Sequence, residues 1–94
     1  MNLAARYRLA DGVAIRPERF GGLVYRYDNR RLYFLHSHEL VDFVSGLSGQ
    51  RPLEEALDEW LASRELPETH RETLVKAVVQ LDKLGILAEE NQKP

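Results

Sequence analysis

Three histidines are the side chains best suited to chemistry near neutral pH. His36 and His38 stand two apart with Ser37 between them, and His70 lies far downstream. A metal site needs several ligands at a spacing that one local fold can bring together. No further ligand has that spacing here. The chain has no cysteine, which excludes disulfides, thiolate zinc sites and cysteine-held iron–sulfur clusters. Ser37 reads as a helix cap, and no base is placed to activate it as a nucleophile. Gly21-Gly22 is followed by no Lys-Ser/Thr pair, so it is not a phosphate loop. Glu54, Glu55, Asp58 and Glu59 fall on one solvated helix face, and Trp60 fits an apolar stripe. The expectation is a protein that is not an enzyme and holds no cofactor or metal.

The chemistry that remains is that of the backbone. Leu23 to Tyr27 and Leu32 to Leu35 are rich in β-branched and aromatic residues, and Asp28-Asn29-Arg30-Arg31 separates them. This is a hairpin signal, with Asx residues suited to the turn. A tight loop at Asp28-Asn29 pairs Tyr25 with Leu32, and a four-residue loop pairs Tyr25 with Phe34. Either register puts Leu23, Tyr25, Tyr27, Leu32 and Phe34 on one face. The other face carries Val24, Arg26, Tyr33 and Leu35. The first face is expected in the core, with Leu32 and Phe34 buried. If the residues next to the turn form a hydrogen-bonded pair, Leu32 and Phe34 point their backbone groups inward. Those of Tyr33 and Leu35 then point outward, toward an edge able to take a strand from a partner.

The elements that position this hairpin follow from periodicity. Met1 to Ala5 is expected to be loose, and Arg6 to Leu9 alternates as a short extended piece. Val13 to Arg16 reads as a strand stopped by Pro17, and Gly21-Gly22 suits unusual backbone angles or close packing. Three sequential strands with short connections predict an antiparallel meander over about 13–35, its last strand at an edge. After His36 the period changes from two to about 3.6. Ser37 caps a first helix with Leu40, Val41, Phe43, Val44 and Leu47 on its apolar stripe. Pro52 opens a second, with Leu53, Ala56, Leu57, Trp60 and Leu61 inward. Pro67 or Glu68 opens the third and longest, with Leu74, Val75, Val78, Leu81 and Leu84 at helical spacing and Gly85 past its end. A polar tail is expected over 89–94. Strands first and helices after predict a single α+β domain over 1–94, winged-helix-like, with helices across about 37–84.

Charge is divided unevenly. Residues 1–35 hold seven arginines against three acids, a net of +4, while residues 36–94 hold six Lys or Arg against twelve acids, a net of −6. The sheet is therefore basic and the helices acidic. Winged helices often place a helix in the DNA major groove, so a nucleic-acid-binding regulator is the alternative reading. The third helix mixes Arg71, Lys76 and Lys83 with Glu68, Glu72 and Asp82, which is not the basic stripe that phosphate contacts require. A third reading is a dimerisation module that uses the same edge. No run approaches the roughly 20 apolar residues of a bilayer span, and no secretion signal opens the chain. A cytoplasmic protein without membrane or nucleic-acid partners is expected.

One stretch resembles a known family. Val13-Ala14-Ile15-Arg16-Pro17-Glu18, Phe20-Gly21-Gly22-Leu23-Val24-Tyr25, Asn29-Arg30-Arg31-Leu32 and Phe34-Leu35 resemble the small peptide-binding chaperones of mycofactocin biosynthesis. These belong to the precursor-peptide recognition elements, which include the pyrroloquinoline-quinone pathway's peptide chaperone. The resemblance implies a non-catalytic, winged-helix-like adaptor. In such a family the leader of a ribosomally made peptide adds as a strand beside the third strand, in a cleft walled by the third helix. The domain then presents the peptide to a radical S-adenosylmethionine enzyme, which in the mycofactocin branch modifies a Val-Tyr end. Carried onto this sequence, the edge is Leu32, Tyr33, Phe34 and Leu35. The far wall is Val75, Val78 and Val79, with Leu74, Leu81 and Leu84 in the core. Arg30 and Arg31 would meet acidic leader side chains.

Overall fold

The computed structural model describes residues 2–90. Met1 and the part of the expected polar tail over 91–94 lie outside the described residues. The elements are β1 (Arg6–Leu9), β2 (Val13–Glu18), β3 (Gly21–Arg26), β4 (Arg31–Leu35), α1 (His38–Ser45), β5 (Ser48–Pro52), α2 (Leu53–Arg64), α3 (Glu68–Lys83) and β6 (Leu87–Glu89). The class is α+β. The meander β2-β3-β4 and the three helices fall where periodicity places them. A second antiparallel sheet, β5-β1-β6, was not legible in the sequence. β5 reads Ser-Gly-Gln-Arg-Pro and has no apolar alternation. It pairs antiparallel with β1, Arg6 opposite Pro52 and Arg8 opposite Ser48.

Leu3 to Ala5, expected to be loose, are held by hydrogen bonds. Glu54 N–H donates to Leu3 O at 2.9 Å, and Leu53 N–H donates to Ala5 O at 2.8 Å. These bonds tie the chain start to the first turn of α2, whose opening amides have no helical partner. Glu90, expected in the tail, donates its N–H to Arg6 O at 2.7 Å and accepts from Arg8 Nε at 2.5 Å.

Local chemistry explains the helices. Ser37 Oγ accepts from Leu40 N–H at 3.1 Å and caps α1. Leu40, Val41, Phe43 and Val44 are buried on one side of this helix. α2 buries Leu53, Leu57 and Leu61, one residue per turn. α3 buries Leu74, Val78 and Leu81. Leu84, expected in the core, is exposed. It is the last residue before Gly85, where the chain leaves the helix and turns inward to the buried Ile86 and Leu87.

The hairpin faces are the reverse of the expectation. Val24 is fully buried and Leu35 is buried, whereas Leu32 is 49% exposed and Phe34 60% exposed. Tyr33 is half-buried against the core. The cause is Gly22, which shares the Val24 face. A Cβ there would meet Val41 Cγ2 at 2.7 Å, so α1 presses on bare backbone at this point. Only the face holding Gly22 admits the helix that closely. The larger side chains Leu23, Tyr25, Leu32 and Phe34 are thereby left on the outer face.

Candidate functional site

The candidate edge is β4. Its register on β3 is Gly22↔Leu35, Leu23↔Phe34, Val24↔Tyr33, Tyr25↔Leu32 and Arg26↔Arg31. This is the pairing expected of the tighter turn, but the loop is the four residues Tyr27 to Arg30. Arg30, not Asp28 or Asn29, takes the left-handed backbone, at φ 57°. Asn29 Oδ1 accepts from Arg31 N–H at 3.0 Å, and Asp28 Oδ1 accepts from Asn29 N–H at 2.9 Å.

That loop sets which backbone groups are free. Tyr27 N–H donates to Gly12 O at 2.9 Å. Backbone groups alternate in direction along a strand, so Tyr25 and Leu23 also face β2, while Arg26, Val24 and Gly22 face β4. Pro17, which has no N–H, sits opposite Gly22, a position that demands no bond between them. The hydrogen-bonded pairs with β4 are therefore Arg26↔Arg31, Val24↔Tyr33 and Gly22↔Leu35. Tyr33 and Leu35 point inward, and Leu32 and Phe34 point their N–H and C=O groups outward. This corrects the expected phase. The physical reason is the loop, which closes at Arg26↔Arg31 and shifts the bonded pairs by one residue. Among the described residues no strand pairs with the outer side of β4.

The opposite edge of the sheet differs. On β2 the outward positions are Val13, Ile15 and Pro17. Val13 N–H already donates to Ala10 O at 3.2 Å, and Pro17 has no N–H to offer. Ile15 alone is left with a free donor on that side.

The nine candidate residues separate by placement. Arg30 and Arg31 are exposed at the turn, and neither takes part in an ion pair among the described residues. Leu32 and Phe34 combine outward backbone with exposed side chains. Tyr33 and Leu35 face inward. On α3, Val75 and Val79 are half-buried, but Val78 is at 0% exposure. Val78 belongs to the core with Leu74 and Leu81 and presents no side chain to a cleft.

The hairpin reaches α3 through Arg26. Its Nη1 donates to Leu84 O at 2.8 Å, at the C-cap of α3, where a cation also offsets the helix dipole. The guanidinium fills the space that a Cβ at Gly85 would occupy. Arg26 Nη2 holds Asp28 at 2.8 Å. That hydrogen bond keeps the Asp28 carboxyl below its usual range.

Sequence reasoning missed the outer-face cluster. Phe20 lies 5.9 Å from Phe34 and 5.4 Å from His36, ring centre to ring centre. Leu23 and Tyr25 lie beside Phe34 and Leu32 in the register. Gly22 was the available signal, because a glycine on the Val24 face marks that face as the packed one. His38 Nε2 donates to Arg19 O at 2.7 Å, and no cluster of three or more metal-ligating residues occurs among the described residues. Among the described residues no helix is long and apolar enough to cross a membrane. A groove of about 470 Å³ lies between α1, β5 and α2, and none of the nine candidates lines it. On α3 the Arg71 guanidinium contacts Asp58 and Glu68 rather than standing free.

Comparison with known proteins adds a family. A family model described as the Peptide chaperone MftB family matches residues 6–88. The peptide chaperone MftB of Mycolicibacterium smegmatis (strain ATCC 700084 / mc(2)155) is 39% identical over 51 residues, covering 54% of this chain and 50% of that protein. The chain thus spans about half the length of the curated relative it matches. No solved structure matches the chain.

Proposed function

The chain belongs to the Peptide chaperone MftB family, and from that premise we propose that it is a non-catalytic adaptor for a ribosomally made precursor peptide. It binds the leader of that peptide as a strand added to β4. It then presents the peptide to a radical S-adenosylmethionine maturase, which carries the cluster and the redox chemistry. Val75 and Val79 on α3 form the far wall of the cleft, and the Arg26–Leu84 bond fixes that helix relative to the hairpin.

The observation that carries this reading is the open edge of β4. Unpaired strand groups are a template for another chain. Each bond formed at such an edge contributes a net of about 0.5–1.5 kcal/mol. Amide hydrogen exchange tests it directly. Saturating precursor peptide should slow exchange at Leu32 and Phe34, while Tyr33, already bonded to β3, should change little. Unaltered exchange at both Leu32 and Phe34 would exclude strand addition here.

Charge supplies a second expectation. Arg30 and Arg31 border the edge on the basic half of the chain, and they would meet acidic leader residues. Exposed pairs contribute about 0.2–1 kcal/mol each and are screened beyond about 10 Å at 0.1 M salt. Replacing both by alanine should weaken peptide binding about fivefold at low salt and flatten its salt dependence. Titration calorimetry across ionic strengths reads both effects. An affinity that does not respond to salt in the unmodified protein would assign these arginines to a solvated turn.

A further inference from the structure

The outer face of the sheet is apolar and uncovered next to the open edge. Across the strands it forms two rows. Arg16, Leu23 and Phe34 lie side by side in one, and Ala14, Tyr25 and Leu32 in the other. Phe20 packs on Phe34 at the margin of the first row. Each row ends at β4 on an exposed apolar side chain, Phe34 in one and Leu32 in the other. The backbone groups of these same two residues point outward. A strand bonded to them places the residues beside Leu32 and Phe34 on that outer face, at their flanks.

We infer that the peptide is selected by this outer face. The ligand class is an extended segment with apolar or aromatic residues at alternate positions, one beside Phe34 and the next but one beside Leu32. This deepens the proposed function and rests on its strand addition. The residue between the two apolar positions faces the opposite side, next to Tyr33. Without a peptide, the ends of both rows are in water. With one, each row gains a fourth member, and cross-strand apolar pairs are what distinguish one strand sequence from another. Arg30 and Arg31 at the adjoining turn favour acidic residues at one end of the same segment. A second copy adding its own β4 brings Arg31 to Leu35, a segment with no acidic residue to meet Arg30 and Arg31, so an acidic peptide is the better-matched occupant.

The test is selection of random-sequence peptides displayed against the immobilised full chain. Enriched sequences should carry apolar residues two apart. The double variant Leu32→Ser/Phe34→Ser keeps both amides, and it should bind the enriched peptides about tenfold more weakly. Phe34→Pro removes an edge donor and should lose the selection altogether. Enrichment without two-residue spacing, or full affinity in the double serine variant, overturns side-chain selection. In that case a loss in Phe34→Pro still leaves strand addition standing. If Phe34→Pro enriches the same peptides as the parent, strand addition itself fails and the inference falls with it.

Discussion

Phe34→Pro should fold and lose leader binding, whereas Tyr33→Pro should fail to fold. The two positions are neighbours on β4 with opposite backbone directions. Phe34 N–H faces outward, so proline there removes no bond of the ladder. The fixed proline φ, near −65°, lies within the broad β region, and edge strands tolerate it. Tyr33 N–H faces β3 opposite Val24. Proline there breaks the ladder in the middle of the hairpin, next to the fully buried Val24. Phe34→Ala is the control, because it trims the ring and keeps the amide. The proline variant should bind leader at least about tenfold more weakly than the alanine variant, from a lost bond of about 0.5–1.5 kcal/mol and the ring's intrusion on the added strand. Circular dichroism reports folding and titration calorimetry reports affinity. A folded Tyr33→Pro that has lost binding, beside a Phe34→Pro that binds like its alanine control, would restore the opposite hydrogen-bond phase.

Leu35→Ala should destabilise the domain by about 2–5 kcal/mol, and Leu32→Ala by less than about 1 kcal/mol. Both change the same residue type on the same strand, so strand propensity cancels and only the face differs. Leu35 belongs to the core cluster with Val24, Leu40, Val41 and Val44. Its removal leaves a cavity lined by side chains that α1 and β3 hold in place. Leu32 already meets water over about half its surface. In a chain of this size the Leu35 variant should melt roughly 10 °C lower or more. Thermal and denaturant melts check the order. Equal losses, or a larger loss at Leu32, would return Leu23, Tyr25 and Phe34 to the core.

The sequence was informative where one signal dominated. The change of period after His36 located the helices, Ser37 capped the first of them, and the turn residues located the meander. The hairpin faces were ambiguous because both are apolar. Side-chain size favoured Leu23, Tyr25, Leu32 and Phe34, but packing selected Gly22, Val24, Tyr33 and Leu35. Arg26 added to the ambiguity. It lies on the packed face because its guanidinium reaches the end of α3, a contact between residues 58 positions apart. The edge itself was legible as the last strand of a meander. Its hydrogen-bond phase was not, because that depends on a loop in which an arginine adopts left-handed backbone. The second sheet was beyond reach because β5 has no apolar alternation and β6 is only three residues long.

The contrast between the two edges of the β2-β3-β4 sheet sets its valence. Along β2, proline and an internal bond leave Ile15 as the single outward donor, so a strand added there forms a poorer ladder. Along β4, two residues in register offer donor and acceptor together. The sheet is therefore asymmetric in valence, with the fuller set of donors on β4. Growth into an open filament needs two matched sides on every unit, and the missing donors along β2 disfavour it. An exposed strand edge carries a risk of indefinite self-association, and the poorer β2 side lowers that risk while β4 stays open.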